Sequence, residues 1–214
     1  ATGAAFHGNY VWAITLIIIG AIFDFFDGMS ARLLKVSSPI GKELDSLADV
    51  VTFGVAPSAM IFYLFTEVTY PAFMEPLRSF MPYTAFLMAA FSALRLAKFN
   101  LDTRQTSSFI GLPTPANALF WGSLIVGNYS FLVSEKFNAF FLFFFMLLFC
   151  FLLVAEIPLF ALKFKNLSWK ENKIKFIFVI TCIPMFIFLK YSCFAAIIAW
   201  YILLSLFTGK KQDA

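Results

Sequence analysis

An all-α, polytopic bundle of transmembrane helices is the fold predicted by this chain of 214 residues. Two features predict it. Hydrophobic residues make up 61% of the chain and charged residues 13%, with a mean hydropathy of +0.86. A soluble domain of this size would need far more polar surface to cover its core. The apolar residues also come in seven long blocks almost free of charge, at 10–23, 50–65, 80–94, 112–133, 137–155, 174–189 and 191–207. Several fall short of the roughly 20 residues that cross a bilayer, but each extends into a flank with a few specific polar groups.

Taken in order, residues 1–6 form a short apolar run before the polar turn His7-Gly8-Asn9. The run is too short to span and has no charged flank of the kind a signal peptide carries. It reads as the end of an eighth helix whose beginning is missing, with a trimmed leader as the alternative, so about eight spans are expected, the first truncated. Pro57, Pro158 and Pro184 interrupt blocks and predict kinks. Trp12, Trp169 and Trp200 fall near block ends, as interfacial anchors do. Phenylalanine, with 31 residues, crowds 137–151, which predicts a lipid-facing or bundle-packing helix and no cofactor. No linker or low-complexity tract divides the chain, so residues 1–214 read as one domain. Cys150, Cys182 and Cys193 lie in apolar helix without metal-ligand or disulfide spacing and read as packing residues. His7 is assigned no role.

The net charge is only +4, but its distribution sets the orientation. With the turn at 33–41 facing the cytoplasm, the inside segments hold Arg32, Lys35, Lys42, Arg95, Lys98, Arg104, Lys163, Lys165, Lys170, Lys173, Lys175, Lys210 and Lys211. The outside turns keep Arg78, Lys136 and Lys190. Cytoplasmic loops carry such an excess of Lys and Arg. Basic groups at helix ends beside anionic lipid need no nucleic-acid partner, and none is expected.

The chemically informative stretch runs from Asp24 to Asp49, DFFDGMSARLLKVSSPIGKELDSLAD. Four aspartates lie within or beside spans, where ionisable groups are costly and usually functional. Asp24 and Asp27 are three apart and Asp45 and Asp49 four apart, so each pair shares a helix face. The polar segment 35–38 followed by Pro39 predicts a turn between antiparallel helices. Folding about Val36–Ser37 sets Asp24 at the depth of Asp49 and Asp27 at the depth of Asp45. Four such carboxylates need protons or cations to neutralise them. Oxygen-only ligands favour hard divalent ions, Mg²⁺ or Mn²⁺, and two ions could clamp a diphosphate during phosphoryl transfer. Gly28 and Ala31 would let a phosphate or nucleotide approach the helix closely, and Arg32 can hold a phosphate oxygen. The structural alternative is an interfacial cluster salt-bridged to Arg32, Lys35 and Lys42.

These residues resemble the CDP-alcohol phosphatidyltransferase signature D-x2-D-G-x2-A-R-x8-G-x3-D-x3-D at every fixed position: Asp24, Asp27, Gly28, Ala31, Arg32, Gly41, Asp45 and Asp49. The resemblance implies a two-metal site on Asp24, Asp27, Asp45 and Asp49. It also implies that Gly28, Ala31, Arg32, Gly41 and a residue near Ser38 serve the donor, CDP-diacylglycerol, and that Asp49 is the general base. A homodimer in the cell (inner) membrane, with its active site at the cytoplasmic face, is expected on the same ground.

The signature leaves the acceptor alcohol open. Arg95, Lys98, Asn100 and Arg104, in ALRLAKFNLDTRQTSSFIGLPTPA, could bind an acceptor carboxylate or the donor phosphate. Equally, they could be positive-inside charge before a helix start at 111–115. The runs R-L-A-x-F-N, G-L-P-x-P-A and S-L-A-D-V-V-T-F-G-V-A-P-S are similar to the phosphatidylserine synthase branch of that family, which implies L-serine. Asn117 departs from the small residue expected there. Glycerol 3-phosphate, an inositol phosphate or choline are the rival acceptors, and a phosphorylated one would call for a denser basic pocket. From another class, a divalent-cation transporter would place its carboxylates at the bilayer midplane and show an inverted repeat, neither of which the pattern has. Glu156, in the apolar run 137–162, is expected to pair with Lys163 or a neighbouring basic group.

Overall fold

The computed structural model describes residues 1–36, 38–101, 108–160 and 169–209. Each apolar block forms a helix, and residues 1–6 hold a short one, α1 (Thr2–Phe6). Gly8, at a φ of 70°, turns the chain into α2 (Tyr10–Leu34), whose first turn is capped by Asn9 Oδ1 accepting from the Trp12 N–H at 3.3 Å. Beyond α2 come α3 (Pro39–Asp49), a π-helical segment (Val50–Val55) and α4 (Ala56–Glu67), which run on as one rod. Short 3₁₀ turns at Ala72–Leu77 and Met81–Phe86 lead into α5 (Leu87–Leu101). Then follow α6 (Thr114–Leu132), α7 (Ala139–Val154), α8 (Trp169–Leu189) and α9 (Cys193–Gly209). Three-residue strands β1 (Ser108–Ile110) and β2 (Pro158–Phe160) pair antiparallel, Ser108 opposite Phe160.

Three stretches among the described residues are long and apolar enough to cross a membrane: Tyr10–Leu34, Pro39–Glu67 and Asn172–Phe207. The last is folded in two. Lys190, in the left-handed region at a φ of 45°, opens a 3₁₀ turn, and α8 and α9 pack side by side. This is an integral membrane protein with an all-α bundle, as the hydropathy blocks predict.

The centre of the bundle is α4, with Ala59, Met60, Ile61, Leu64 and Phe65 fully buried. The phenylalanine crowd on α7 divides between two roles. Phe149 stacks on Phe120 of α6 at 4.1 Å between centroids, while Phe141, Phe144 and Phe151 point outward, where lipid covers them. Two expectations about other residues change. Trp200 lies in the middle of α9, where its indole N–H donates to Thr181 Oγ1 at 2.9 Å, so it joins α9 to α8 and is no interfacial anchor. Pro158 kinks no span, because α7 ends at Val154 and Pro158 begins β2. Pro57 sits in the first turn of α4, just after the π-helical segment, and the helix runs through it.

At the end of the bundle away from the aspartates, Glu67 ties three helices. Its carboxylate accepts from Tyr10 at 2.6 Å and from Tyr129 at 2.8 Å, joining α4 to α2 and α6. Hydrogen bonds to a charged acceptor are stronger than neutral ones. Glu67→Ala is expected to cost about 2–4 kcal/mol, seen as a lower thermal midpoint in detergent; an unchanged midpoint would mean that the staple contributes nothing.

Candidate active site

Local chemistry builds the hairpin that carries the aspartates. Lys35 closes α2 in the left-handed conformation, at φ 54° and ψ 35°. Ser38 caps α3 by accepting the Gly41 N–H at 3.0 Å, with Pro39 in the first turn, where its missing N–H costs nothing. A Cβ on Gly41 would lie 2.9 Å from Ser38 Oγ, so Gly41 leaves room for the cap. Ser38 and Gly41 are thereby accounted for by the turn itself. Ala31 contributes its carbonyl, which accepts from the Val36 N–H at 3.1 Å and helps close α2.

The turn brings both helices' acids together. Carboxylate oxygens of Asp24, Asp27 and Asp45 all lie within 4.8 Å of one another, Asp24 half-buried and the other two exposed. Asp49 lies outside that tight group, but it feels the charges of Asp24, Asp45 and Asp27, which Arg95 opposes. No Lys or Arg bridges Asp24, Asp27 or Asp45 among the described residues, so the interfacial salt-bridge alternative is not what the structure shows. Gly28 faces open space, with nothing within 4 Å of a built Cβ. Beside it, Arg32 Nε donates to the Gly28 carbonyl at 2.9 Å, which draws the guanidinium across that bare patch of helix.

The rod's π-helical segment begins directly after Asp49. A π-turn absorbs an extra residue, and one residue of an α-helix is about 100° of rotation. The segment therefore decides which way the face bearing Asp45 and Asp49 looks relative to α4. Ser92 of α5 packs here, 3.1 Å from a Cβ built on Gly54.

The second predicted cluster is only partly assembled. Asn100 Nδ2 donates to Ser46 Oγ at 2.9 Å, and Lys42 Nζ donates to the Asn100 carbonyl at 3.3 Å. Asn100 thus fastens α5 to α3. Arg95 is 7% exposed, stands over the Phe99 ring at 5.0 Å and faces the Asp49 charge. Lys98 is exposed, and Arg104 lies outside the described residues. Glu156 is exposed in the extended stretch after α7; its expected partner Lys163 is outside the described residues.

Sequence reasoning named Arg95 but missed the buried polar residues on α5 and α6 that, like its Nε, lack a partner among the described residues. Ser92 Oγ, Arg95 Nε, Thr114 Oγ1 and both amide atoms of Asn117 are buried with no hydrogen-bond partner among the described residues. The signal was present as polar residues at i, i+3, S-x-x-R inside apolar α5 and T-x-x-N at the start of α6.

The family model described as CDP-alcohol phosphatidyltransferase matches residues 2–208. A Bacillus subtilis protein named CDP-diacylglycerol–serine O-phosphatidyltransferase is 43% identical over 109 residues, 51% of this chain and 57% of that protein. Proteins of the same name from Helicobacter pylori strain J99 (42% over 113 residues, 52% of this chain and 44% of that protein) and Methanocaldococcus jannaschii (37% over 115 residues, 54% and 49%) are also similar. The matched region thus spans about half the length of these curated relatives. With the model matched along almost the whole chain, the protein belongs to the CDP-alcohol phosphatidyltransferase family.

Proposed function

We propose that this protein transfers the phosphatidyl group of CDP-diacylglycerol to the hydroxyl of L-serine, giving phosphatidylserine and CMP. The observation that carries the reading is the convergence of the Asp24, Asp27 and Asp45 carboxylates within 4.8 Å, without a basic partner among the described residues. Such a cluster needs protons or cations to compensate it. Its all-oxygen donor set suits hard divalent ions, and the family generally uses divalent metal ions. Asp24, Asp27 and Asp45, with Asp49, would hold two such ions, Mg²⁺ or Mn²⁺. Bound there, they supply the positive charge that neutralises a diphosphate leaving group.

The chain's own groups do the rest. Gly28 leaves the surface of α2 open to the donor's diphosphate or nucleotide, and Arg32 offers guanidinium N–H groups to a phosphate oxygen. Asp49 takes the proton from the acceptor hydroxyl. The acceptor oxygen then bonds to the lipid-side phosphorus as that phosphorus loses its bond to the bridging oxygen, and CMP departs. Arg95, opposite Asp49, meets the serine carboxylate. Asn100 holds α3 in place, and Lys98 and Arg104 add positive charge at the same membrane face. The serine assignment rests on the names of the similar proteins and on the sequence runs beside Arg95. The same reading places a homodimer in the cell (inner) membrane, with the site at its cytoplasmic face.

The test is CMP release by the purified protein in detergent with CDP-diacylglycerol, comparing serine with glycerol 3-phosphate, inositol phosphate and choline. Serine-dependent release that stops with chelator is expected; release with another alcohol alone would sink the serine assignment, and no release with any would sink the reaction. The same preparation tests the donor site. Gly28→Ala adds a methyl group that meets no protein atom within 4 Å and should stabilise α2 by up to about 1 kcal/mol. It is nevertheless expected to raise the KM for CDP-diacylglycerol several-fold. A more stable variant with an unchanged KM would remove Gly28 from the donor site.

A further inference from the structure

The acidic cluster leaves the buried polar group on α5 and α6 unexplained. Ser92, Thr114 and Asn117 are 0% exposed and Arg95 7% exposed, and each carries a polar atom without a partner among the described residues. Leaving such groups unpaired inside a membrane bundle costs free energy, so their retention calls for a reason.

Their positions form one layer. Helices α4 and α6 run in the same direction and are tied at the far end by the Tyr129–Glu67 hydrogen bond. Counting back from that tie along each helix sets Thr114 and Asn117 at the depth of the π-helical segment Val50–Val55, which α6 packs against. On α5, Ser92 packs against Gly54, and Arg95 lies one turn nearer the aspartates, facing the Asp49 charge. Helix α6 packs against both the π-helical segment and α5. Two i, i+3 polar pairs, Ser92 with Arg95 and Thr114 with Asn117, therefore stand at the depth of Val50–Val55, just bilayer-inward of Asp49.

The chemistry of the layer selects its ligand. It offers one fixed cation, an amide that both donates and accepts, and two hydroxyls. A phosphorylated alcohol would bring about two negative charges against a single guanidinium, a poor match. A zwitterionic amino alcohol matches group for group, its carboxylate on Arg95, its ammonium on Asn117 Oδ1 and the hydroxyls, and its own hydroxyl toward Asp49. We propose that Ser92, Arg95, Thr114 and Asn117 form the subsite for the acceptor's amino-acid head, with Asn117 reading the ammonium group. The inference rests on the phosphatidyl-transfer reading and adds to it the residues that set acceptor specificity. Arg95 is the one member of the layer with measurable exposure, and the acceptor enters past it.

The test uses the full chain in lipid nanodiscs with CDP-diacylglycerol and Mn²⁺, and measures binding of labelled serine separately from CMP release. Asn117→Ala is expected to weaken serine binding and raise its KM at least tenfold, with the KM for CDP-diacylglycerol within twofold of wild type. Because the substitution removes an unpaired amide, the thermal midpoint should hold or rise; a purely structural Asn117 would give a lower midpoint and an unchanged serine KM. Wild-type protein should also bind serine at least tenfold more tightly than 3-hydroxypropionate, which lacks the ammonium. That comparison keeps the proposal open to refutation if the variant fails to fold. Equal affinity for the two ligands, or unchanged serine binding in Asn117→Ala, overturns the subsite and leaves the transfer reaction standing. Serine binding that depends on Asn117, in a protein that releases no CMP with any acceptor, would overturn the reaction and retain the subsite.

Discussion

Replacing Asp49 with asparagine is expected to lower CMP release by about 10²–10⁴-fold, the usual contribution of a positioned general base. The substitution keeps size and shape but removes the carboxylate's negative charge and, with it, the ability to take a proton. Asp49 also lies outside the tight group formed by Asp24, Asp27 and Asp45, so those three carboxylates keep their arrangement. Donor binding should therefore survive. Measuring CMP release beside the thermal shift produced by CDP-diacylglycerol separates the two effects. Release within tenfold of wild type would take the base role from Asp49. Loss of release together with the donor-induced shift would recast Asp49 as a metal or donor ligand only.

The second large effect concerns Asp45. Three carboxylates within 4.8 Å, without a basic partner among the described residues, repel one another unless cations are bound. Asp45→Asn removes one of these charges, so the metal-free variant should unfold at a higher temperature than metal-free wild type. With Mn²⁺ the order should reverse. Wild type gains stability in proportion to the logarithm of metal concentration over Kd, and the variant has lost a ligand. Loss of even an outer partner costs about 10–100-fold in metal affinity or activity, and loss of a direct ligand should cost at least as much. Thermal unfolding of both proteins across a Mn²⁺ series reads the crossing directly. Parallel curves with the same metal-induced shift would show that Asp45 does not hold the ion.

Much of this site is local in origin and so was legible early. The i, i+3 and i, i+4 spacing of the aspartates puts each pair on one face of a helix whatever surrounds it. The capping chemistry of Ser38 and Pro39 needs only its own turn. The membrane class follows from composition, because solvation by lipid is a property of whole segments. What proved harder depends on partners distant in sequence. Trp200 looked like an interfacial anchor until α8 supplied Thr181. The bond from Asn100 to Ser46, 54 residues away, could not be read from the sequence around either residue.

By itself, then, the sequence determined the all-helical membrane class, through composition and hydropathy, the pairing of the aspartates on helix faces, through their spacing, and the family, through the match of its signature residues. Only the tertiary structure decided how the faces meet. The π-helical segment after Asp49 changes the helical count by about one residue, and no local pattern announces it. Packing of α5 and α6 against that segment buries Ser92, Arg95, Thr114 and Asn117, and the layer proposed for them depends on it. The physical reason is the same in both cases. Local spacing sets which side chains share a helix face, but where that face points is set by packing between helices far apart in the chain.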